Sequence, residues 1–293
     1  MVETRITSLM APLRACADGE MAPNLALMHL LTEAPDEESA RTALNEMNLR
    51  SGTDPTARER LATLKSLWGK SPELFSLLKN VARCAEGGPT STKDWAHAFD
   101  RAAAHSPEAS VALYSLGDAR LLTQITEELV ACMLEWRLFA PAFRVLDLGC
   151  GTGRIASAIA PNVQSVVALD CSDKMVQLAK GKTADHRNVC VLRTSGEDLA
   201  FFRDGAFDTV LAIDSFPYLV EARMAEQHLN EIARVLNPGG RLLIMNYSYR
   251  GDLTRDRADV TAFAQQCGCK ILRNGTSDLT LWDGRAFLLR KDL

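Results

Sequence analysis

Three glycines at alternate positions, Gly149, Gly151 and Gly153, stand between two aspartates, Asp147 and Asp170, and the stretch that opens them reads "VLDLGCGTGRIA". Glycine has no Cβ, so such a turn lets a ligand lie against the backbone, and a turn that opens a helix suits a nucleotide. The glycines alone leave the nucleotide open. Gly151, Gly153 and Ala156 satisfy the G-x-G-x-x-A form of the dinucleotide fingerprint, with Asp170 at the next strand end to take a ribose, so an NAD-binding dehydrogenase competes for this motif. Asp147 tilts the balance. A carboxylate two residues before the first glycine repels a pyrophosphate and suits an ammonium group, so a positively charged, phosphate-free ligand is expected.

Strands must carry these acids. From Phe143 onward the runs "FRVLDL", "SVVALD", "NVCVLR", "FDTVLAID" and "RLLIMNYS" alternate with amphipathic stretches, the pattern of a parallel sheet covered by helices on both faces. Pro238, Gly239 and Gly240 are read as stopping a helix and turning the chain into the fifth strand. "CKILRN" and "RAFLLRK", flanking "GTSDLTLWDG", predict a final hairpin. Upstream the chain reads as helical. Asp54 with Pro55, Ser71 with Pro72, and Asp118 are helix starts, and "AEGGPTSTKD" over 85–94 is a connection. The expected division is a helical N-terminal region over 1–110 and an α/β domain over 111–293.

The 293 residues are 47% hydrophobic, enough for an ordinary core. Thirty-three basic against 37 acidic residues leave a net charge of -4 without a basic block, which argues against a nucleic-acid or anionic-membrane partner. Arg14, Asp18 and Glu20 interrupt the early apolar stretches, so a cytoplasmic protein with eight reduced cysteines is expected. No metal is expected, because Cys267 and Cys269 are too closely spaced for a zinc site.

"VLDLGCGTGRIA", the acid in "VVALDCSDKMVQLAK", "TSGEDLAF", "FDTVLAIDSF" and "RVLNPGGRLLIMN" follow one another in the order and spacing of class I S-adenosylmethionine-dependent methyltransferases. The chain resembles that family over roughly residues 110 to 293. The resemblance implies a Rossmann-like seven-stranded sheet with the last strand inserted antiparallel, an α-helical N-terminal domain or cap, and S-adenosyl-L-methionine as methyl donor with S-adenosyl-L-homocysteine as product. Carried over position by position, Asp147 faces the methionine ammonium, directly or through water. The backbone of Gly149, Cys150, Gly151 and Gly153 passes beneath the cofactor, and Asp170 accepts both ribose hydroxyls. Cys171 and Met175 lie near the adenine, and Ser195, Gly196, Glu197 and Ile213 complete the cofactor set. The family often has an acid where this chain has Ser195, which leaves adenine recognition to the Gly196 backbone and the Ser195 hydroxyl.

The expected acceptor is a small molecule methylated on O, N, C or S. A protein or RNA substrate, or a non-catalytic regulatory protein that binds the same cofactor, are the alternatives. Asp214, Tyr218 and His97 are the catalytic candidates, as groups able to take or relay a proton. Ser215, Asn246, Tyr247, Tyr249 and Arg250 are candidates for gripping the acceptor, Arg250 through a carboxylate, and Tyr114 for covering the sulfonium with its ring. The N-terminal helices are expected to form a lid or a homodimer contact. "DSFPY" departs from the [DNS]-P-P-[YFW] motif of amino-methylating nucleic-acid enzymes, which disfavours a flipped base.

Overall fold

The computed structural model describes residues 2–50 and 54–292, with side chains from residue 8 onward. It divides into two compact units. One comprises the chain up to Cys84 with Ala102–Ile125 and Thr280–Asp283, and the other comprises Ala85–Arg101, Thr126–Leu279 and the chain from Gly284 on. The single junction expected at residue 110 is replaced by an interleaved division. Unit membership depends on long-range packing that no local signal in the sequence marks.

The first unit is helical: α1 (Val2–Asp18), α2 (Pro23–Glu33), α3 (Glu37–Arg50), α4 (Pro55–Gly69) and α5 (Leu74–Arg83). Leu13, Leu27, Leu30, Leu31, Leu61, Leu64 and Leu78 meet in one fully buried cluster. Each such side chain gains about 1.5–3 kcal/mol from burial, which is what holds helices too short to persist alone. Asp54 caps α4 as the sequence indicates, accepting from the backbone of Thr56 and Ala57, with Pro55 as the first helical residue. α5 starts later than Ser71–Pro72 suggests. The Ser71 carbonyl closes a turn onto the Leu74 N–H, and Glu73 precedes the helix without a side-chain cap. The buried Asn24 amide donates to the carbonyls of Tyr114 and Leu281, so the 280–283 segment belongs to this unit.

Three further helices follow: α6 (Thr92–His105), α7 (Pro107–Val111) and α8 (Ala119–Glu135). Ser106 caps α7 and Asp118 caps α8 through side-chain oxygens. Residues 92–101 of α6 belong to the second unit.

That second unit is built on β1 (Arg144–Leu148), β2 (Ser165–Asp170), β3 (Val189–Arg193), β4 (Phe207–Ile213), β5 (Leu236–Met245), β6 (Cys269–Ser277) and β7 (Arg285–Lys291). All seven strands expected from the sequence are present. Their order is β3-β2-β1-β4-β5-β7-β6. β1 to β5 pair in parallel, while β7 runs antiparallel to both β5 and β6. The crossovers carry α9 (Arg154–Ile159), α10 (Asp173–Lys182), α11 (Phe216–Glu221), α12 (Ala225–Val235) and α13 (Leu253–Gln266). β5 begins earlier than its apolar run. Leu236 already pairs with Phe207, residues 237–240 bulge outward, and Arg241 resumes the ladder opposite Thr209. Val210, Leu242, Ile244 and Phe287 pack against Leu229, Ile232 and Val235 of α12. Among the described residues no helix is long and apolar enough to cross a membrane.

Candidate functional site

Asp147 sits in the centre of the sheet, in register with Ala168 of β2 and Leu211 of β4. It is 1% exposed, and its Oδ2 has no hydrogen-bond partner among the described residues. Burial pushes its carboxyl up to about 7, partly offset by the Arg154 charge and reinforced by Asp170. The Arg154 guanidinium itself donates to Thr126 Oγ1 at 3.0 Å. An unpaired buried carboxylate oxygen is costly, so a donor from outside the chain would be taken up readily.

The glycine turn follows directly. Gly149 N and Cys150 N both donate to the Leu169 carbonyl, which folds the turn against the end of β2. Gly149 and Gly153 hold φ of +75° and +77°, and a Cβ would collide with Ser215 at the first and approach the Ala179 backbone at 2.9 Å at the second. Only glycine meets both demands. Gly151 N donates to Asp170 Oδ2 at 2.8 Å, and Ser172 N donates to Asp170 Oδ1 at 2.9 Å. Asp170 therefore staples the glycine turn to its own loop. With the Cys171 N–H as a third backbone donor, the carboxylate has about four acceptor sites and so keeps capacity for a ribose hydroxyl. Its carboxyl is held above the usual range by burial, against the pull of those backbone N–H groups.

Around this pair, Cys150 is buried and burial holds its thiol well above its ordinary value, while Cys171 is pushed up to about 12 by the same cause. Met175 is buried in the first turn of α10, where its N–H is accepted by Ser172 Oγ. Gly196 lies with φ +74° beside Cys171 and Thr92, and Ser195 and Glu197 are exposed. Ile213 is buried at the end of β4.

Beyond Ile213 comes a second polar group. Asp214 Oδ1 accepts from Asn246 Nδ2 at 2.9 Å and from the Tyr249 hydroxyl at 2.5 Å. Ser215 Oγ donates to the Leu148 carbonyl at 2.5 Å, joining this loop to β1. Tyr218 packs edge-on to Tyr249, and their hydroxyls also meet. Burial, then the charge of Asp214, raises both phenols above their ordinary values. Asp214, Tyr218, Asn246 and Tyr249 are thus brought together.

Four other candidates lie elsewhere. His97 is exposed on α6, two residues from each of the inward residues Trp95 and Phe99 and so on the opposite face of the helix. Tyr114 is 4% exposed in the helical unit, with its ring stacked on Trp282 at 5.0 Å. Tyr247 is buried against Phe216 and Phe287 in the sheet core. Arg250 is held by Asp256 at 2.6 Å and Asp259 at 2.5 Å, which occupies the guanidinium expected to bind a substrate carboxylate.

The sequence reading missed one face of α6. Trp95 and Phe99, one helical turn apart, contact the Tyr218 ring at 4.6 and 5.0 Å. Asp100 accepts from Ser172 Oγ at 2.6 Å and from Lys174 N at 2.9 Å. The spacing of Thr92, Trp95 and Phe99, three and four residues apart with Asp100 next to the last, is the available signal.

Comparisons with known proteins fit this arrangement. Residues 146–244 match the family model described as a methyltransferase domain. The demethylmenaquinone methyltransferase of Clavibacter sepedonicus is 36% identical over 105 residues, 36% of this chain and 41% of that protein. A ubiquinone/menaquinone biosynthesis C-methyltransferase of Geotalea daltonii is 34% identical over 116 residues, 38% of this chain and 48% of its own length. The chain thus spans less than half the length of these relatives. The fold is also that of Haemonchus contortus phosphoethanolamine N-methyltransferase 1, at 15% identity and a TM-score of 0.50, over 69% of this chain and 49% of that one.

Proposed function

We propose that this chain, which carries a class I methyltransferase domain, transfers a methyl group from S-adenosyl-L-methionine to a small-molecule acceptor, with S-adenosyl-L-homocysteine as product. The observation that carries this reading is the pair of acids at adjacent strand tips on either side of the glycine turn. Asp147 offers a buried oxygen without a donor, and Asp170 fixes the turn through Gly151 while keeping acceptor capacity for a hydroxyl. That donor set fits a ligand with an ammonium group at one end and a ribose diol at the other. The glycine cradle, which a Cβ at Gly149 would fill, fits a cofactor lying against the backbone.

When bound, S-adenosyl-L-methionine supplies an electrophilic methyl carbon on a sulfonium. The chain's part is to align and to shield. Asp170 orients the ribose through its remaining lone pairs, and Asp147, sealed beneath the turn, favours the ammonium through its charge or a bridging water. Asp214, held by Asn246 and Tyr249, accepts the proton that an O–H or N–H acceptor must lose. Trp95 and Phe99 close over Tyr218 and exclude water from that side.

We place this activity in the cytoplasm, where the eight cysteines stay reduced. Incubating the protein with methyl-tritiated donor and a pool of small metabolites tests the reading. Label recovered in a low-mass product supports it. Label found only in protein or RNA, or left wholly on the donor, overturns it.

A further inference from the structure

Resting on that methyltransferase reading, we propose that the acceptor is a small amine, seated as its ammonium form at Asp214 beside the rings of Trp95, Phe99, Tyr218 and Tyr249. Three of these rings converge on the fourth. Trp95 and Phe99 of α6 meet Tyr218 at 4.6 and 5.0 Å, and Tyr249 meets it edge-on at 5.8 Å. The carboxylate of Asp214 stands at the rim of this group, bonded to the Tyr249 hydroxyl. Tyr249 is 50% exposed and Asp214 is partly exposed, so a ligand can reach both.

The charge of the ligand follows from these neighbours. A cation is attracted electrostatically by a carboxylate and by aromatic faces together, a neutral molecule of the same shape keeps the packing but lacks that attraction, and an anion is repelled. The nearby Arg250 does not cancel this preference, because its guanidinium is taken up by Asp256 and Asp259. A second observation points to a ligand here. The Trp95 indole N–H, in a side chain only 8% exposed, has no hydrogen-bond partner among the described residues. An uncharged oxygen on the ligand would satisfy this otherwise unpaired donor.

The chemistry balances with groups already present. The ammonium first passes one proton to the Asp214 carboxylate. The freed nitrogen lone pair then forms the new C–N bond as the C–S bond to the methyl breaks, leaving a neutral thioether. Tyr218 and Tyr249, whose phenols are held above their ordinary values, stay protonated and act as donors, which leaves Asp214 as the proton acceptor.

Choline and 3,3-dimethylbutan-1-ol share size, shape and hydroxyl and differ in charge, so they serve as probes. Each is titrated calorimetrically into protein saturated with S-adenosylhomocysteine. Choline is expected to bind about tenfold tighter or better, and Asp214→Asn to bring the two within about threefold while S-adenosylhomocysteine still binds. Should Asp214→Asn lose that binding through misfolding, Trp95→Leu replaces it, with choline affinity expected to fall about threefold further than that of the alcohol, because only choline loses a cation–ring attraction. Equal binding of the two probes, no measurable choline binding, or a preference that survives the substitution overturns the amine assignment. Failure of the wild-type protein to bind S-adenosylhomocysteine overturns the methyltransferase reading instead.

Discussion

Asn246 donates its side-chain amide to Asp214 Oδ1 at 2.9 Å, tying together the first residues past the adjacent strands β4 and β5. Both residues hold left-handed backbone, with φ of +60° and +58°. Residues with a Cβ generally adopt that conformation at a cost of about 1–2 kcal/mol, which Asn and Asp lower through local side-chain hydrogen bonds, and such backbone concentrates where side chains must be aimed. Backbone bonds hold it in place. Asp214 N donates to the Met245 carbonyl, Asn246 N donates to the Arg285 carbonyl, and Arg285 N returns to Asn246 Oδ1.

From this pairing, Asn246→Ala should destabilise the protein more than Asn246→Gly, by about 1 kcal/mol, because glycine relieves the left-handed strain and alanine does not. Both remove the bond to Asp214. Denaturant unfolding of the two variants decides the point, and an alanine variant as stable as the glycine one would contradict the strain.

The Asp147 carboxyl is lifted from 3.8 to about 7, chiefly by burial. A folded value above the unfolded one means that the folded protein binds the proton more tightly. Its contribution to stability is therefore full below about pH 4 and is lost as pH rises through 7. A lift of that size corresponds to at most about 4 kcal/mol. Unliganded wild type should lose stability relative to Asp147→Asn between pH 5 and 8 in thermal unfolding, and added S-adenosylhomocysteine should shrink the loss by pairing its ammonium with the ionised acid. Parallel stability curves for the two proteins would contradict this.

Asp100 fastens α6 to the start of α10 through Ser172 and Lys174. Hydrogen bonds to a charged group contribute about 1.5–3 kcal/mol each. Asp100→Ala should therefore speed amide hydrogen exchange across 92–100 and 172–176 and weaken S-adenosylhomocysteine binding by about tenfold. Unchanged exchange in both segments would show that the fastening has no such role.

All seven strands were legible because each carries its own run of β-branched or apolar residues, and the glycine turn because its spacing is local. The start of β5 was not, because Leu236 pairs with Phe207 across a bulge that the Pro-Gly-Gly sequence disguises as a turn. Asp214, Tyr218, Asn246 and Tyr249 were placed together by their positions just past strand ends. Trp95, Phe99 and Asp100 were overlooked because their partners, Tyr218 and Ser172, lie more than 70 residues away. Arg250 and Tyr247 show the converse. Their residue types suit a substrate, yet the aspartates of α13 and the core aromatics claim them first.

The most direct measurement is calorimetric titration of S-adenosylhomocysteine and of NAD into the wild-type protein and Asp170→Ala. Wild type should bind S-adenosylhomocysteine and not NAD, and the alanine variant should bind it about tenfold to a hundredfold more weakly, having lost the carboxylate that holds both Gly151 and the ribose. Binding of NAD in its place, or an affinity for S-adenosylhomocysteine indifferent to Asp170, would contradict the assignment of this cleft.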